Sequence, residues 1–353
     1  MYPRLTIDLE KLHHNGEMLC AMAARAGLHD LAFVTKCFCA MPEMVRALED
    51  LPNRYLADSR VENLKHCPET KKEKLLLRLP MISEADEVVR WADISLCSER
   101  DTLSALDTAA AAQGKTHKVV LMVDMGDLRE GVLYSHREEL LALARQAEAV
   151  EHLVLWGMAF NVTCYGSIIP TAQTLEDFRA LVEMVEQALG RKLDFVSAGN
   201  SSSLELLETT DLTGYNNLRL GESLLLGRET AYGHALPGLY DDAVVLETEI
   251  IEARRKPTFP IGQRGMNAFG QVVEYEDRGE RLRLLAAVGR QDVDEGDLFP
   301  EEEGLHVIGA SSDHLILESD AREYRAGDVV RFRLGYGAAL RAFTSPYVQK
   351  KID

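Results

Sequence analysis

The chain has 353 residues and a formal net charge of −18, and 46% of its residues are hydrophobic while 27% are charged. This balance is ordinary for a globular protein, and the length predicts one large domain and a smaller one. No Lys/Arg-rich block offsets the acidity, so nucleic acid and anionic membrane surfaces are not expected as partners. The N-terminus lacks a signal-peptide pattern and no apolar run approaches about 20 residues, which predicts a cytoplasmic protein.

Six cysteines are spread along the chain: Cys20, Cys37, Cys39, Cys67, Cys97 and Cys164. Their spacing fits neither a zinc site nor a disulfide framework. We expect reduced thiols that mostly pack in the interior, and no bound metal.

The first element, "RLTIDL" (4–9), has the pattern of a strand. Eight further apolar segments have the pattern of strands covered on both faces. They are 31–36, 54–59, 74–80, 94–98, 118–126, 153–161, 193–200 and 215–221. Amphipathic helices lie between them, most clearly at 8–26, 99–113, 136–149 and 174–189. This alternation predicts a (β/α)8 barrel, which leaves 4–9 as an extra strand for the second domain.

A segment rich in glycine, proline and turn residues (227–242) follows the eighth strand and predicts a domain boundary. Beyond it, short alternating strands are predicted at 243–255, 281–289, 305–310, 313–318 and 328–334. We therefore expect residues 1–237 to form the barrel domain and residues 238–353 to form a small all-β domain, with residues 1–9 paired to the latter.

Every predicted barrel strand ends in a polar residue, and the active sites of such barrels lie at the carboxyl ends of the strands. These residues are Lys36, Asp58, Ser59, Arg78, Ser98, Asp124, Asn161, Asn200, Ser201 and Arg219. Polar loop starts are common, so each one alone is weak evidence. Together they predict a polar barrel mouth that contains a lysine and two arginines.

The loops after strands seven and eight have the composition of a phosphate site. After strand seven, Gly199 lets the backbone turn, and Asn200 with the serines at 201–203 supplies hydroxyls and backbone N–H groups at a helix start. After strand eight, Gly221 again precedes a helix start, and barrels often bind phosphate at these two loops. The alternative is a serine-rich helix cap and a glycine turn.

A lysine, a phosphate site and an arginine at these positions meet the needs of pyridoxal phosphate. Lys36 would form the Schiff base, and Arg219 beside the pyridine nitrogen would keep it unprotonated. An unprotonated ring is a weaker electron sink, which favours racemisation over transamination. The alternative for Lys36 is a surface lysine that ends a strand.

These motifs resemble those of the alanine racemase family of fold-type III pyridoxal-phosphate enzymes over nearly the whole chain. "FVTKCFC" resembles the lysine strand, "GNSSS" the phosphate-binding segment and "LRLGES" the Arg-x-Gly segment. The resemblance implies these cofactor contacts: Lys36, Asn200, Ser201, Ser202, Arg219, Gly221, Glu222 and, in "YGAALRAF", Tyr336. "VDMGDLREG" implies that Arg129 lies near the substrate carboxylate. "GRETAYG" and "GASSDHL" look closest to the ornithine racemase-like branch.

The family forms a head-to-tail homodimer in which the β domain of one subunit completes the site of the other. Residues 286–294 and 309–315 resemble the visiting segments. Arg290 stands where the family has a tyrosine base, Asn161 stands where it has the histidine partner of that tyrosine, and Met122 replaces a lysine that can be carbamylated. The usual second acid/base of the family is therefore missing.

A racemase needs an acid/base on each face of the substrate. Lys36 is expected to take the α-proton on one face. Cys164, Asp313 and His314 are candidates for the other face, and Cys164 is preferred because a thiol near positive charge ionises more readily. Each has an ordinary alternative, as a packing residue, a turn cap or an interface histidine. Arg290 stays charged, so it is expected to hold a carboxylate.

The expected function is the interconversion of L- and D-amino acids by α-proton abstraction, with ornithine and alanine as candidate substrates. Ornithine would need an acidic partner for its distal ammonium, and Asp292, Asp294 and Asp313 could supply it. The alternatives are a pyridoxal-phosphate decarboxylase, a D-amino-acid aldolase or dehydratase, and a non-catalytic carrier of the cofactor. The β domain argues against the carrier, since such proteins are usually lone barrels.

Overall fold

The computed structural model describes residues 1–353, and the chain divides into two compact units. One unit is Glu10–Tyr240, and the other combines Met1–Leu9 with Asp241–Asp353. The sequence places the boundary after residue 237, whereas the units divide after Tyr240, inside the same turn-rich segment (227–242).

The strands and helices are numbered in chain order. The strands are β1 (Arg4–Ile7), β2 (Ala32–Val34), β3 (Tyr55–Asp58), β4 (Glu73–Leu76), β5 (Ile94–Cys97), β6 (His117–Asp124), β7 (Val132–Leu133), β8 (Leu153–Asn161), β9 (Phe195–Asn200), β10 (Asn217–Leu220), β11 (Val244–Pro257), β12 (Glu280–Ala286), β13 (Leu298–Pro300), β14 (Leu305–Ala310), β15 (Leu315–Ser319), β16 (Val329–Leu334) and β17 (Gln349–Ile352). The α-helices are α1 (Leu9–Arg25), α2 (Pro42–Ala47), α3 (Val61–His66), α4 (Ala85–Trp91), α5 (Arg100–Ala112), α6 (Arg137–Ala149), α7 (Ala172–Leu189), α8 (Glu222–Leu226) and α9 (Tyr336–Thr344). None of these helices has the length and apolar character needed to cross a membrane.

Eight parallel strands of the Glu10–Tyr240 unit form a closed barrel, which confirms the predicted (β/α)8 fold. Their order is β5-β4-β3-β2-β10-β9-β8-β6, and a further pairing between β5 and β6 closes the ring. The short β7 adds to β6 as a ninth strand. Each barrel strand overlaps one predicted segment, because a continuous apolar run between amphipathic helices is typical of a strand covered on both faces.

Apolar side chains fill the barrel, so it has a packed core and no pore. Tyr55 and Phe195 meet edge to face there, with 5.4 Å between ring centroids. Met122 is fully buried in the same cluster, so an apolar side chain occupies the position at which the family resemblance implies a lysine. The cluster comprises Ala32, Val34, Tyr55, Ala57, Leu75, Ile94, Leu96, Val120, Met122, Ala159 and Phe195.

Helix α7 shows how local sequence sets the ends of a barrel helix. The Thr171 hydroxyl accepts the backbone N–H of Thr174 at 3.2 Å, and the Thr174 hydroxyl accepts that of Thr171 at 3.2 Å, which forms a capping box. Gly190 ends the helix in the left-handed conformation, with φ 72°. The buried face repeats at spacings of three and four residues: Leu175, Phe178, Leu181, Val182 and Val185.

The second unit is built on a mostly antiparallel sheet in the order β13-β16-β11-β12-β15-β14. Strand β1 belongs to this sheet, because it pairs antiparallel with β11 and parallel with β17. The buried carboxylate of Glu247 on β11 accepts Arg4 Nε at 2.6 Å and Arg331 Nη1 at 3.1 Å. These charge-assisted hydrogen bonds join β1 and β16 to β11, which lies between them, so they connect strands from near the two ends of the chain.

The second unit also contains a helix that the sequence analysis did not predict. Helix α9 (Tyr336–Thr344) follows β16, and it buries Ala338, Ala339, Ala342 and Phe343 at helical spacing. Strands β13 and β17 were not predicted either. They have three and four residues, which is too short for a periodic pattern to stand out.

Candidate active site

Lys36 lies just after β2, as the first residue of a short 3₁₀ helix (Lys36–Phe38), and it is half-buried. The chain turns sharply after this helix, because Cys39 and Ala40 have φ angles of 53° and 50°. Thr35, one residue earlier, donates its hydroxyl to Asp58 Oδ2 at 2.7 Å, and both side chains are buried. This bond ties the ends of β2 and β3 together and fixes the strand end that carries Lys36.

Lys36 and Arg219 lie at the ends of neighbouring strands, because β10 runs beside β2 with Arg219 opposite Ala32. Gly221 follows β10, and a Cβ added there would lie 3.1 Å from the Cβ of Val34. Glycine therefore lets the turn after β10 pack closely on β2. The next residue, Glu222, accepts Nε of Arg228 at 3.0 Å.

Arg219 is a buried cation, with only 3% of its surface exposed. Its Nη1 donates to Ser197 Oγ at 2.5 Å, and its Nη2 donates to the Phe160 carbonyl at 2.6 Å and to Asn161 Oδ1 at 2.5 Å. Burial lowers the pKa of Arg219 to about 10, an effect that the negative charge of Glu130 opposes. The guanidinium therefore stays charged near neutral pH.

Arg129 lies in the loop between β6 and β7, and its guanidinium binds both oxygens of the Glu130 carboxylate. Nη2 of Arg129 donates to Oε1 at 2.6 Å, and its Nε pairs with Oε2. Asn161 Nδ2 donates to the same Oε1 at 2.6 Å. The sequence analysis did not single out Glu130, because its contact with Asn161 on β8 joins residues that are distant in sequence.

The phosphate segment predicted after β9 begins with a turn that needs glycine. Gly199 has φ 103°, and a Cβ there would lie 2.6 Å from Ser203 Oγ. Asn200 Oδ1 accepts the backbone N–H of Ser202 at 2.8 Å and its hydroxyl at 2.7 Å. The start of the 3₁₀ helix Ser201–Leu206 is therefore capped by Asn200.

The serines of this segment fit a phosphate-bearing cofactor. Ser201, Ser202 and Ser203 are each at most 3% exposed, and Ser201 Oγ lies 3.0 Å from Ser223 Oγ on α8. The buried Ser203 hydroxyl has no hydrogen-bond partner in the protein, which is the condition in which a ligand would satisfy it. With the amine of Lys36 and the buried guanidinium of Arg219, the donor set matches what pyridoxal phosphate requires.

Cys164 lies exposed in the loop after β8. Asn200 Nδ2 donates to its Sγ at 3.5 Å, so the thiol faces the phosphate segment. The buried Asp127 holds this loop, because its carboxylate accepts the backbone N–H groups of Tyr165 and Gly166, each at 3.0 Å. Asp127 was missed as well, since an aspartate between glycine and leucine has the sequence pattern of an ordinary turn.

Arg290 is engaged by three partners within the second unit. Its Nη2 forms an ion pair with Glu295, and its guanidinium lies 4.3 Å from the ring centroid of Phe269. Nη1 donates to Gln271 Oε1 at 3.4 Å. The ion pair with Glu295 offsets the positive charge that was expected to hold a carboxylate.

Asp313 and His314 form a hydrogen-bonded pair on the loop between β14 and β15. Asp313 Oδ1 lies 3.0 Å from Nδ1 of His314 and accepts the hydroxyls of Ser311 and Ser312. The hydrogen bond from His314 lowers the pKa of Asp313. A Cβ on Gly289 would lie 2.4 Å from the backbone nitrogen of Asp313, so glycine is required beside this pair.

The other predicted residues of the second unit have local roles. Asp292 is 7% exposed and accepts the Ser345 hydroxyl at 2.6 Å. Asp294 caps the 3₁₀ helix that follows it. Tyr336 is the first residue of α9 and is half-buried. The side chain of Asp313, by contrast, is 71% exposed, so it is the most accessible of the three aspartates.

The predicted site residues fall into two sets according to the compact units. Arg290, Asp313, His314 and Tyr336 belong to the second unit. The remaining predicted site residues belong to the barrel unit. They are connected by the pairing of β2 with β10, by the contact of Asn200 with Cys164, and by hydrogen bonds that run from Arg219 through Asn161 and Glu130 to Arg129. This set comprises Lys36, Arg129, Cys164, Asn200, Ser201, Ser202, Arg219, Gly221 and Glu222.

The chain is similar to known proteins along its whole length. A family model described as alanine racemase, N-terminal domain, matches residues 7–229. An ornithine racemase of Acetoanaerobium sticklandii is 43% identical over 355 residues and covers 100% of both chains. A lysine racemase of Thermotoga maritima is 36% identical and covers 99% of this chain and 98% of its own. The alanine racemase of Streptomyces lavendulae superposes with a TM-score of 0.76 at 18% identity, over 100% of this chain and 98% of that one, which shows the fold.

The two racemases align with this chain from end to end, so the protein is an amino-acid racemase, which is an isomerase. The family implies pyridoxal phosphate as the cofactor and a small molecule as the substrate. The barrel, the sheet unit and the full-length matches lead to one conclusion: the chain belongs to the alanine racemase family.

Proposed function

We propose that the protein binds pyridoxal phosphate through a Schiff base with Lys36 and racemises an amino acid at the barrel mouth. The buried guanidinium of Arg219 carries this proposal, because Arg219 lies on β10, next to β2, and Lys36 lies just after the end of β2. A guanidinium only donates, so the ring nitrogen beside it must be the unprotonated acceptor. When bound, the cofactor withdraws electrons from the α-carbon of the amino acid and makes its proton acidic.

The residues after β9 and β10 would hold the phosphate group. Support comes from the three buried serine side chains and from the Ser203 hydroxyl, which has no partner in the protein. Gly221 would let a backbone N–H approach the phosphate, as glycine does at other phosphate sites. The proposed cofactor contacts remain those of the sequence analysis: Asn200, Ser201, Ser202, Gly221, Glu222 and Tyr336.

Lys36 would carry the proton on one face of the substrate, and a second group would carry it on the other. Cys164 is supported by the N–H that Asn200 donates to its sulfur, which orients the thiol toward the phosphate segment. His314 is supported by Asp313, which orients its ring as the carboxylate of a catalytic dyad does. We propose Cys164 or the Asp313–His314 pair of a partner subunit as the second acid/base, and Arg129 and Arg290 as the contacts of the substrate carboxylate.

We further propose a substrate with a distal ammonium group. The two end-to-end relatives act on ornithine and on lysine, which both carry one. The carboxylate of Asp313 is 71% exposed and could bind such a group beside its hydrogen bond to His314, whereas Asp292 is buried and Asp294 caps a 3₁₀ helix. Alanine would lack this contact, so it should be the poorer substrate.

Proton exchange tests the reaction. Purified protein with pyridoxal phosphate is incubated with single L-amino acids in deuterated water, and the loss of the α-proton signal and of optical rotation is followed. We expect both losses together, fastest for ornithine or lysine. Release of carbon dioxide, ammonia or an aldehyde would show a different reaction, and no turnover of any amino acid would contradict an enzyme.

Borohydride trapping tests the cofactor anchor. Reduction should fix the cofactor on the peptide that contains Lys36, and Lys36→Ala should abolish the label. Lys71→Ala is the matched control and should keep the label. Lys71 is exposed and precedes the amino end of β4, whereas the barrel mouth lies at the carboxyl ends of the strands. A label that survives Lys36→Ala would refute the anchor.

We also propose that the enzyme works in the cytoplasm as a head-to-tail homodimer. All six cysteines are free thiols, and reduced thiols are typical of a reducing compartment. Sedimentation of the purified protein tests the dimer, and a monomer at micromolar concentration would contradict it.

A further inference from the structure

One carboxylate, that of Glu130, links the two arginines of the barrel unit. It binds Arg129 through both oxygens, and its Oε1 also accepts Nδ2 of Asn161, whose Oδ1 accepts Arg219. The side chain of Glu130 is only 16% exposed, so its charge is weakly screened by water. A continuous set of hydrogen bonds therefore runs from the loop after β6, across β8, to β10.

The amide of Asn161 has a single workable orientation in this set. A carboxylate can only accept and a guanidinium can only donate. The amide must therefore point its nitrogen to Glu130 and its oxygen to Arg219, as the two distances of 2.6 Å and 2.5 Å show. Asparagine does not titrate, so this link sets position and charge and cannot relay a proton.

We propose that Glu130 is a positioning residue of the racemase, which holds Arg129 and, through Asn161, Arg219 as one preorganised pair of cations. The inference rests on the proposed function, in which Arg129 meets the substrate carboxylate and Arg219 meets the cofactor ring. Without the carboxylate the two like charges would repel, and the Asn161 amide could rotate away from Arg219. Glu130 thus makes the spacing of the two guanidinium donors depend on a third side chain.

Charge and shape can be separated with two substitutions. Glu130→Gln keeps the length of the side chain and removes its charge, whereas Glu130→Asp keeps the charge. The first readout is the pH at which the absorbance of the bound cofactor changes. Removing a negative charge disfavours protonation nearby, so we expect Glu130→Gln to lower this midpoint by roughly 1 pH unit, and Glu130→Asp to restore most of it. Both variants are also compared in a Cys164→Ser background, because the thiol of Cys164 contacts Asn200 of the proposed phosphate segment.

A second pair of variants tests the route through Asn161. Asn161→Leu cuts the link to Arg219 and leaves the ion pair of Arg129 with Glu130, so it should also lower the midpoint. Combining Asn161→Leu with Glu130→Gln should give less than the sum of the two shifts, because both remove one connection. If Glu130→Gln folds poorly, Asn161→Leu alone still tests the proposal, because it leaves the ion pair of Arg129 with Glu130 in place.

The midpoint of Glu130→Gln decides the matter. An unchanged absorbance midpoint in Glu130→Gln overturns the inference. If the melting temperature of the apoprotein falls while the midpoint stays unchanged, the role of Glu130 is merely structural. The control Glu183→Gln, at an exposed position on α7, should change nothing. If the wild-type protein bound no pyridoxal phosphate at all, the proposed function would fail instead, which the absorbance of the wild-type protein after incubation with the cofactor shows directly.

Discussion

Arg219 and His117 are both buried ionisable side chains, yet only Arg219 keeps its charge. Three acceptors surround the guanidinium of Arg219. His117, the first residue of β6, has the Ser95 hydroxyl at 2.9 Å from its Nε2 and is 1% exposed. Burial lowers the pKa of His117 to about 4, and the charge of Lys115 adds to the effect. The neutral imidazole is therefore part of the folded structure.

We expect His117 to make the protein less stable in mild acid. Its pKa is about 4 when folded against 6.5 as a model value, so the unfolded chain binds more protons between these pH values. Its contribution is full above pH 6.5 and is lost as the pH falls toward 4. His117→Gln should flatten this dependence in urea unfolding, whereas His136→Gln, at an exposed histidine, should not. Equal slopes for wild type and His117→Gln would contradict the prediction.

Single residues were predictable from the sequence where position on a strand is enough. Lys36 and Arg219 end apolar runs, and the barrel order brings the two runs side by side. Glu130 and Asp127 were not predictable, because they act on Asn161 and on the backbone after β8, which the fold alone brings near. Tertiary hydrogen bonds between distant segments leave no local pattern.

At the scale of secondary-structure elements, β8 and β9 pack so closely that a side chain between them cannot fit. A Cβ on Gly157, in the middle of β8, would lie 1.8 Å from the carbonyl oxygen of Phe195. We expect Gly157→Ala to lower the free energy of unfolding by about 3 kcal/mol or more, since overpacking against backbone cannot relax easily. Denaturant unfolding measures the change.

Gly265→Ala is the matched control for Gly157→Ala. A Cβ at Gly265 meets nothing within 4 Å. This substitution should leave stability unchanged or raise it by a few tenths of a kcal/mol, because alanine restricts the unfolded chain. Similar losses for both variants would refute the steric argument.

The loop that carries Cys164 depends on Asp127. Asp127→Ala removes the acceptor of the Tyr165 and Gly166 amides, so these amides should exchange with solvent at least about tenfold faster. Hydrogen-exchange mass spectrometry of the peptide that contains residues 162–170 measures this. Asp177→Ala, at an exposed position on α7, should leave that peptide unchanged. Unaltered exchange in Asp127→Ala would show that the loop is held by other contacts.

Strands and helices were predictable where the pattern of apolar residues extends over many positions. The barrel strands have continuous apolar runs, and α7 has several turns of helical spacing. Helix α9 escaped because its buried face consists mainly of alanines, which carry little hydrophobic contrast. The prediction was thus most accurate for the barrel and least accurate for the small elements of the second unit.

For the whole molecule, the proposed dimer makes a sharp prediction about mixed subunits. Lys36→Ala and His314→Ala should each be inactive if Lys36 serves one subunit's site and His314 the partner's. Mixing the two after dissociation should restore activity, up to about a quarter of the wild-type sites, because half of the dimers are mixed and each has one intact site. The assay is racemisation before and after remixing.

The remixing experiment also separates the candidates for the second acid/base. Mixed Lys36→Ala and Cys164→Ser subunits should stay inactive, because both residues lie in the barrel unit of one subunit, so each site of the mixed dimer lacks one of them. Recovery in that mixture would contradict the assignment of Cys164 to the site of Lys36. Full activity of His314→Ala alone would remove His314 from the mechanism.

The position of β1 has a consequence for how the chain folds during synthesis. Arg4 and Glu247 bond across 243 residues, so the first strand leaves the ribosome long before the strand that receives it. The whole barrel sequence is synthesised before β11, so the barrel can fold while β1 still lacks its partner strands. A fragment that ends near residue 240 would keep β1 without β11 or β17, and an unpaired strand edge invites aggregation. Trimming residues 1–9 from such a fragment should therefore improve its solubility.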